Sequence, residues 1–130
     1  MDLMEIKQAK GMKFSIRLRG HVLGTDMHKE DGGDDAGMNP IELLVGALAA
    51  CIGTTIHIYC KMHQLPAEGI VVNAVPTLAS DPKRIQTITL DITLPEGFPQ
   101  EKRESILRVA HKCPVHKAFE TPPEIDIELA

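Results

Sequence analysis

Residues 39–64 read NPIELLVGALAACIGTTIHIYCKMHQ, and this stretch decides the fold. Asn39 suits a helix N-cap, Pro40 the first helical position, and Glu42 falls three residues after the cap. That is a capping-box arrangement with Asn in place of Ser or Thr. The predicted helix runs to about Gln64, where Leu65-Pro66 ends it. At ~1.5 Å per residue it would be nearly 40 Å long. Its first half is apolar almost all round and rich in small residues: Gly46, Ala47, Ala49, Ala50 and Gly53. Such a helix needs cover on most sides and closely approaching neighbours. A single small domain struggles to supply that, so the reading implies a dimer.

The elements on either side complete an α+β pattern. In Met12–Arg19, the apolar Met12, Phe14, Ile16 and Leu18 alternate with Lys13, Ser15, Arg17 and Arg19. Period two predicts a strand with one apolar and one basic face. A preceding strand over Leu3–Gln8 pairs with it through Lys10-Gly11, and His21–Thr25 is a further extended stretch. Asp26–Met38 is a Gly- and Asp-rich loop whose acidic spacing does not match a calcium-binding loop. After the long helix come strands over Gly69–Leu78 and Arg84–Leu94, with Pro76 marking an edge or a bulge. A helix follows over Gln100–Lys112, with Ile106, Leu107 and Ala110 on its apolar side. A helical turn over Pro114–Phe119 and a last strand over Glu124–Leu129 close the chain.

Composition narrows the functional classes. The 130 residues make a single domain, 1–130, the simplest organisation, with 43% hydrophobic and 25% charged residues. A net charge of −4 with scattered Lys and Arg argues against nucleic acid as a partner. Aromatics are only 3%, with no Trp, so base-stacking platforms are not expected. Three cysteines are too few for a secreted disulfide framework and suit a reducing compartment. The N-terminal residues do not read as a signal peptide, and the longest apolar run, Leu43–Ile52, is short of the ~18 residues of a membrane span. A cytoplasmic protein with no membrane partner is the expectation.

The cysteines carry the chemistry. Cys51 lies on a helix face with Leu44, Ala47, Leu48, Thr54, Thr55 and Ile58, an apolar wall with a hydroxyl fringe. It is mid-helix, so the helix dipole does little for its thiolate. A reactive Cys51 therefore needs a cation from elsewhere; otherwise it is a small core hydrophobe. Cys113 precedes Pro114, which pushes it out of helical conformation and into the cap of the next turn. Backbone N–H groups there, with His111, Lys112, His116 and Lys117 close by, give it the better local case for thiolate character. The rival reading is a buried cap without chemistry. Cys60 follows Cys51 by nine residues and so falls on the opposite helix face, a structural position. The pairs Cys60/His63 and Cys113/His116 have a zinc-like spacing, but both lie on helical segments where such neighbours arise trivially, and no metal or cofactor is expected. His21, His28 and His57 share no convergent spacing. Glu42 either completes the capping box or orients a cation near a thiol, and the cap is the simpler role.

Two segments, GGDDAGMNPIELLVGALAAC ending at Cys51 and KCPVHKAFETPPEIDIEL starting at Lys112, together resemble the OsmC/Ohr family of osmotically induced and organic-hydroperoxide-resistance proteins. The resemblance implies an intertwined homodimer, with long central helices wrapped by antiparallel β-sheet. It implies a cysteine-based peroxidase for organic hydroperoxides in oxidative-stress defence. Cys51 would attack the peroxide and become a sulfenic acid, and Cys113 would resolve it as a disulfide. A dithiol partner, lipoyl or thioredoxin-like, would then reduce that disulfide. The alternative is a family dimer that binds an apolar ligand or acts in redox regulation, with little peroxidase activity. The chain departs from the hydroperoxide-resistance branch at Ile41, where that branch has Glu directly after Asn-Pro; here the acid is Glu42, which places the chain nearer the OsmC-like branch. The family's activating Arg is not marked by a motif here. Arg17 is the first choice and Arg19 the second, both on the polar face of their strand.

Overall fold

A computed structural model describes all of residues 1–130. The chain runs β1 (Glu5–Lys10), β2 (Lys13–Leu18), β3 (His21–Thr25), α1 (Pro40–Met62), β4 (Val71–Ala79), β5 (Arg84–Thr93), α2 (Arg103–Ala110) and α3 (Pro114–Glu120). One-turn 3₁₀ segments at Lys29–Asp31 and Gln100–Lys102 complete it. The chain divides into two compact units, Met1–Leu44 and Val45–Ala130, with the boundary inside α1. The α+β class expected from the pattern is the one observed.

In the first unit, β1–β2–β3 form an antiparallel meander. The tight turns have the backbone their sequences ask for. Arg19 and Gly20 both have positive φ, 49° and 82°, between the paired Leu18 and His21. That is the pattern of a type I′ hairpin, which follows the strand twist. Ile6, Ile16 and Leu23 stand opposite one another across the three strands. The apolar face they start is poorly covered, with Ile6 53% and Leu23 40% exposed.

The loop after β3 is built around Asp26, whose side chain is almost fully buried. Its carboxylate accepts N–H bonds from Met27 at 2.8 Å, Asp34 at 3.1 Å and Ala36 at 3.0 Å. The Lys13 ammonium lies 3.5 Å from it and also pairs with Asp34. The Ala36 bond is the largest of the forces that hold the Asp26 carboxyl below its usual range, with Lys13 adding to it. Gly33 is the one residue type this loop accepts at its place: a Cβ there would lie 2.1 Å from the Met27 carbonyl oxygen.

In the second unit, α1 turns one stripe, Leu48, Ile52, Ile56 and Cys60, onto a core completed by Ile106, Val109, Ala110 and Cys113. Ile88, Leu90, Ile92 and Leu94 pack against it from the β5 strand and its end. The β4–β5 hairpin shifts register between Thr77 and Leu78, beside Pro76, as the proline predicts. By length and composition α1 also meets the requirement for crossing a membrane. The same composition suits a core helix, and its buried stripe is packed as one.

Several sequence expectations are corrected. α1 ends at Met62, two residues before Gln64. Within one chain it is covered on a stripe only, with Leu44, Ile58 and Met62 exposed, in line with the expectation that one small domain does not surround it. The segment from Gln100 begins as a 3₁₀ turn, and in α2 Ile106, Val109 and Ala110 share the buried i, i+3, i+4 stripe. Val109 therefore takes the core position expected for Leu107, which is 62% exposed. Glu124–Leu129 is not a strand, and Ile125, Ile127 and Leu129 are among the most exposed apolar residues. A strand needs a partner edge for its N–H and C=O groups, and this segment pairs with none in the chain.

Candidate functional site: a pair of thiols between α1 and α3

Cys51 and Cys113, 62 positions apart, are brought together in the second unit. All three cysteines are free thiols. Cys113 is fully buried, while Cys51 is partly exposed and packs at the edge of the core. The backbone of Cys113 is extended, φ −57° and ψ 128°, as the following proline requires. This turns its sulfur to cap α3, where it accepts the His116 N–H at 3.4 Å.

Of the two readings open for Cys113, a thiolate-favouring cap and a buried cap, burial prevails: its pKa is raised. Burial is the largest cause, and the neighbouring Cys51 sulfur is the next, because it stabilises the proton on Cys113. N–H groups of His116 and Val115 pull the other way and do not prevail. A cap favours an anion, but dry surroundings oppose one more strongly. Cys113 thus holds its proton. Cys51 also has a local partner: its carbonyl accepts the Thr55 hydroxyl at 2.8 Å. Cys60 is fully buried nearer the C-terminal end of α1, and burial alone raises its thiol.

The other two predicted site residues lie in the first unit. Glu42 and Asn39 form the reciprocal capping box: each backbone N–H donates to the other's side chain at 2.9 Å. The same Glu42 oxygen lies 3.3 Å from His28 Nε2. The Asn39 N–H bond is the main cause of a lowered Glu42 pKa, and Glu42 in turn raises that of His28. Arg17 is exposed on β2, opposite Glu5 on one side and Val22 on the other. Arg19 sits in the hairpin turn, 3.7 Å from Asp2.

Sequence reasoning missed two concavities in the second unit. A cavity of about 170 Å³ is lined by Ile52, Leu90, Ile92, Leu107 and Ala110, with His111 and His116 at its polar end. The two imidazoles meet edge to face, centroids 5.1 Å apart, and join the end of α2 to α3. Their spacing of five residues across a proline carries no helical signal. A second, larger groove of about 620 Å³ follows the small residues Gly46, Ala49, Ala50 and Gly53 of α1. For metal chemistry, the one group of three close donors is His28, Glu30 and Asp31, within 4.8 Å of one another and largely exposed. The Cys-x-x-His pairs gain no third ligand.

A family model described as OsmC-like protein matches residues 32–128. Among solved structures, a proposed osmotic stress induced and detoxification response protein from Psychrobacter arcticus superposes with TM-score 0.84 at 22% identity, covering 91% of this chain and 88% of that one. An OsmC like protein from Mycoplasma pneumoniae gives TM-score 0.79 at 16% identity, covering 92% and 86%. The organic hydroperoxide resistance protein OhrB of Bacillus subtilis gives 0.68 at 21% identity, covering 93% of each. No curated protein sequence matches the chain. Identities this low establish the shared fold, while the family model covers the segment holding both thiols and so identifies the chain as a member of the OsmC-like protein family.

Proposed function

We propose that this protein is a cysteine-based peroxidase for organic hydroperoxides. The observation that carries the reading is that the fold packs Cys51 against the core cluster that holds Cys113, one thiol accessible and one buried. The Cys51 thiolate attacks the outer peroxide oxygen, the O–O bond breaks, and the alcohol leaves after gaining a proton. The resulting Cys51 sulfenic acid is attacked by Cys113. The S–S bond forms as water departs. A dithiol then donates two electrons and two protons and restores both thiols. In this reading Arg17 supplies the cation that favours the Cys51 thiolate and the departing alkoxide, with Arg19 the second choice. Glu42 serves through its cap, fixing the start of the helix that carries Cys51.

The working unit in this proposal is an intertwined homodimer. The exposed Ile6 and Leu23, the groove along α1 and the extended, apolar-alternating Glu124–Leu129 tail all support it. In the dimer, the tail gains the partner edge it lacks in one chain. A stable monomer by sedimentation at micromolar concentration would refute this assembly.

The apolar cavity below Ile52 favours a second reading, in which the protein binds an apolar ligand and its thiols do little catalysis. One experiment separates the two. Free thiols are titrated before and after one equivalent of cumene hydroperoxide, followed by turnover with a dithiol. Loss of two thiols and sustained peroxide consumption support the peroxidase. Three unreacted thiols would leave the binding reading standing.

A further inference from the structure

We propose that the cavity between β5, α2 and α3 binds a straight-chain carboxylic acid, with its head at His111 and His116 and its alkyl chain along β5. This rests on the ligand-binding reading of that cavity and names the ligand's chemical class. It requires no thiol chemistry, because none of the three cysteines lines the cavity or its neighbour. The cavity of about 170 Å³ has apolar walls, Ile52, Leu90, Ile92, Leu107 and Ala110, and the two imidazoles are its only polar side chains. A second cavity of about 170 Å³ shares Ile92 and Leu107 with it. That one continues the apolar lining through Leu94 and Ile106 to Arg103 and Glu104. The shared walls make the two a single track between β5 and α2. Leu107, 62% exposed and outside the core, is a wall of both halves.

The hydrogen bonds of the imidazoles select the head. His111 Nδ1 lies 2.7 Å from the Leu107 carbonyl oxygen. A carbonyl only accepts, so this nitrogen carries the hydrogen, and Nε2 of the neutral ring is a bare acceptor. His116 Nδ1 meets two acceptors, the His111 carbonyl oxygen and a Glu120 carboxylate oxygen, each at 3.4 Å, and the same assignment follows. The edge-to-face contact, centroids 5.1 Å apart, holds the two rings beside each other. A head that suits them brings a proton. An alcohol donates one hydrogen bond and stays neutral. A carboxylic acid gives its proton to Nε2 and remains as the carboxylate of an imidazolium pair, a charge-assisted bond stronger than the neutral one. If the acid arrives ionised, solvent supplies that proton. An alkylammonium head finds no carboxylate in the lining around the rings. Glu120 stands beside them, but it is already shared by His116 and Lys117.

The test titrates the full chain with octanoate, octanol and octylammonium, which share one alkyl chain and differ in the head. Affinity is read by calorimetry, and the ring signals of His111 and His116 by NMR. Octanoate should bind about tenfold more tightly than octanol, the margin of a charge-assisted over a neutral hydrogen bond, and should move both ring signals. Octylammonium should bind most weakly. His111→Phe with His116→Phe keeps two flat rings and removes the nitrogens. It should bring octanoate down to the level of octanol and leave octanol binding in place. Leu107→Asp, at an exposed position on the wall, should weaken octanoate and octanol alike, with thermal unfolding checking that each variant folds. Octanol binding as tightly as octanoate would overturn the named class and leave the ligand-binding reading standing. No binding of any of the three at ~1 mM would overturn both. Octanoate binding that leaves the ring signals unmoved, or that survives the double histidine variant at full strength, would place the ligand elsewhere and overturn the proposal.

Discussion

Closing the Cys51–Cys113 disulfide should stabilise the fold, and the size of the effect follows from where the two thiols lie. The bond would tie α1 to the cap of α3 across the β4–β5 hairpin and α2. The denatured chain then carries a closed loop of about sixty residues, and loop-closure entropy puts the gain near 4 kcal/mol. Native strain subtracts from this. Because the fold already packs Cys51 against the cluster that holds Cys113, the expected strain is small. With about 2 cal/mol/K of unfolding entropy per residue, the gain corresponds to a rise of roughly 10–15 °C in Tm. The assay is thermal unfolding of reduced and diamide-oxidised protein at one protein concentration, with Cys113→Ser as the control that cannot close the loop. Oxidation should shift the wild type and leave the control unmoved. Unchanged or lower stability in the oxidised wild type would mean that the sulfurs meet only by distorting the backbone. The resolving role of Cys113 would then be refuted.

Ile56→Ala removes a side chain with no exposed surface from the centre of the core and should cost about 2–5 kcal/mol, read by urea unfolding. Asp26 has a depressed carboxyl pKa, so its contribution to stability is complete above the ordinary carboxylate value and is lost as pH falls through its lower folded value. Acid unfolding followed below pH ~4 should show that loss in the wild type and not in an already destabilised Asp26→Asn. Arg17→Ala should leave folding nearly intact and slow iodoacetamide labelling of Cys51 at neutral pH; unchanged rates in both Arg17→Ala and Arg19→Ala would show that another group supplies the cation.

What could be read from the sequence was local. The start of α1 was legible because Asn39, Pro40 and Glu42 act within one turn, and their reciprocal bonds are present. The extended backbone of Cys113 was legible because Pro114 imposes it. The strand periods were legible because alternation is a nearest-neighbour property. What could not be read depended on partners far along the chain. The buried Asp26 collects N–H groups from positions up to ten residues away and a lysine from another strand. Of the two apolar neighbours of Ile106 on α2, Val109 at i+3 is buried and Leu107 at i+1 is exposed, a choice made by which side of the helix meets α1 and β5. The alternation in Glu124–Leu129 describes a face that could be buried, but pairing needs an edge, and none in this chain meets it. The high pKa of Cys113 was left open for the same reason, since its cap is local while the residues that dry it come from α1 and α2.

That last difference decides which thiol reacts first. Capping geometry alone nominates Cys113, and burial nominates Cys51. The Cys113 proton is held by dry surroundings and by the Cys51 sulfur beside it. Cys51 is the thiol that solvent reaches. Limiting iodoacetamide, followed by peptide mass mapping, should therefore modify Cys51 well before Cys113, and Cys60 last. Exposure alone would give the same order, so two variants separate the causes. Cys113→Ser keeps a donor near Cys51, and Cys113→Ala removes it. If the donor matters, Cys51 should label more slowly in Cys113→Ala than in Cys113→Ser at neutral pH. Equal rates in the two variants would leave access as the only advantage of Cys51. Faster labelling of Cys113 in the wild type would reverse the attacking and resolving roles.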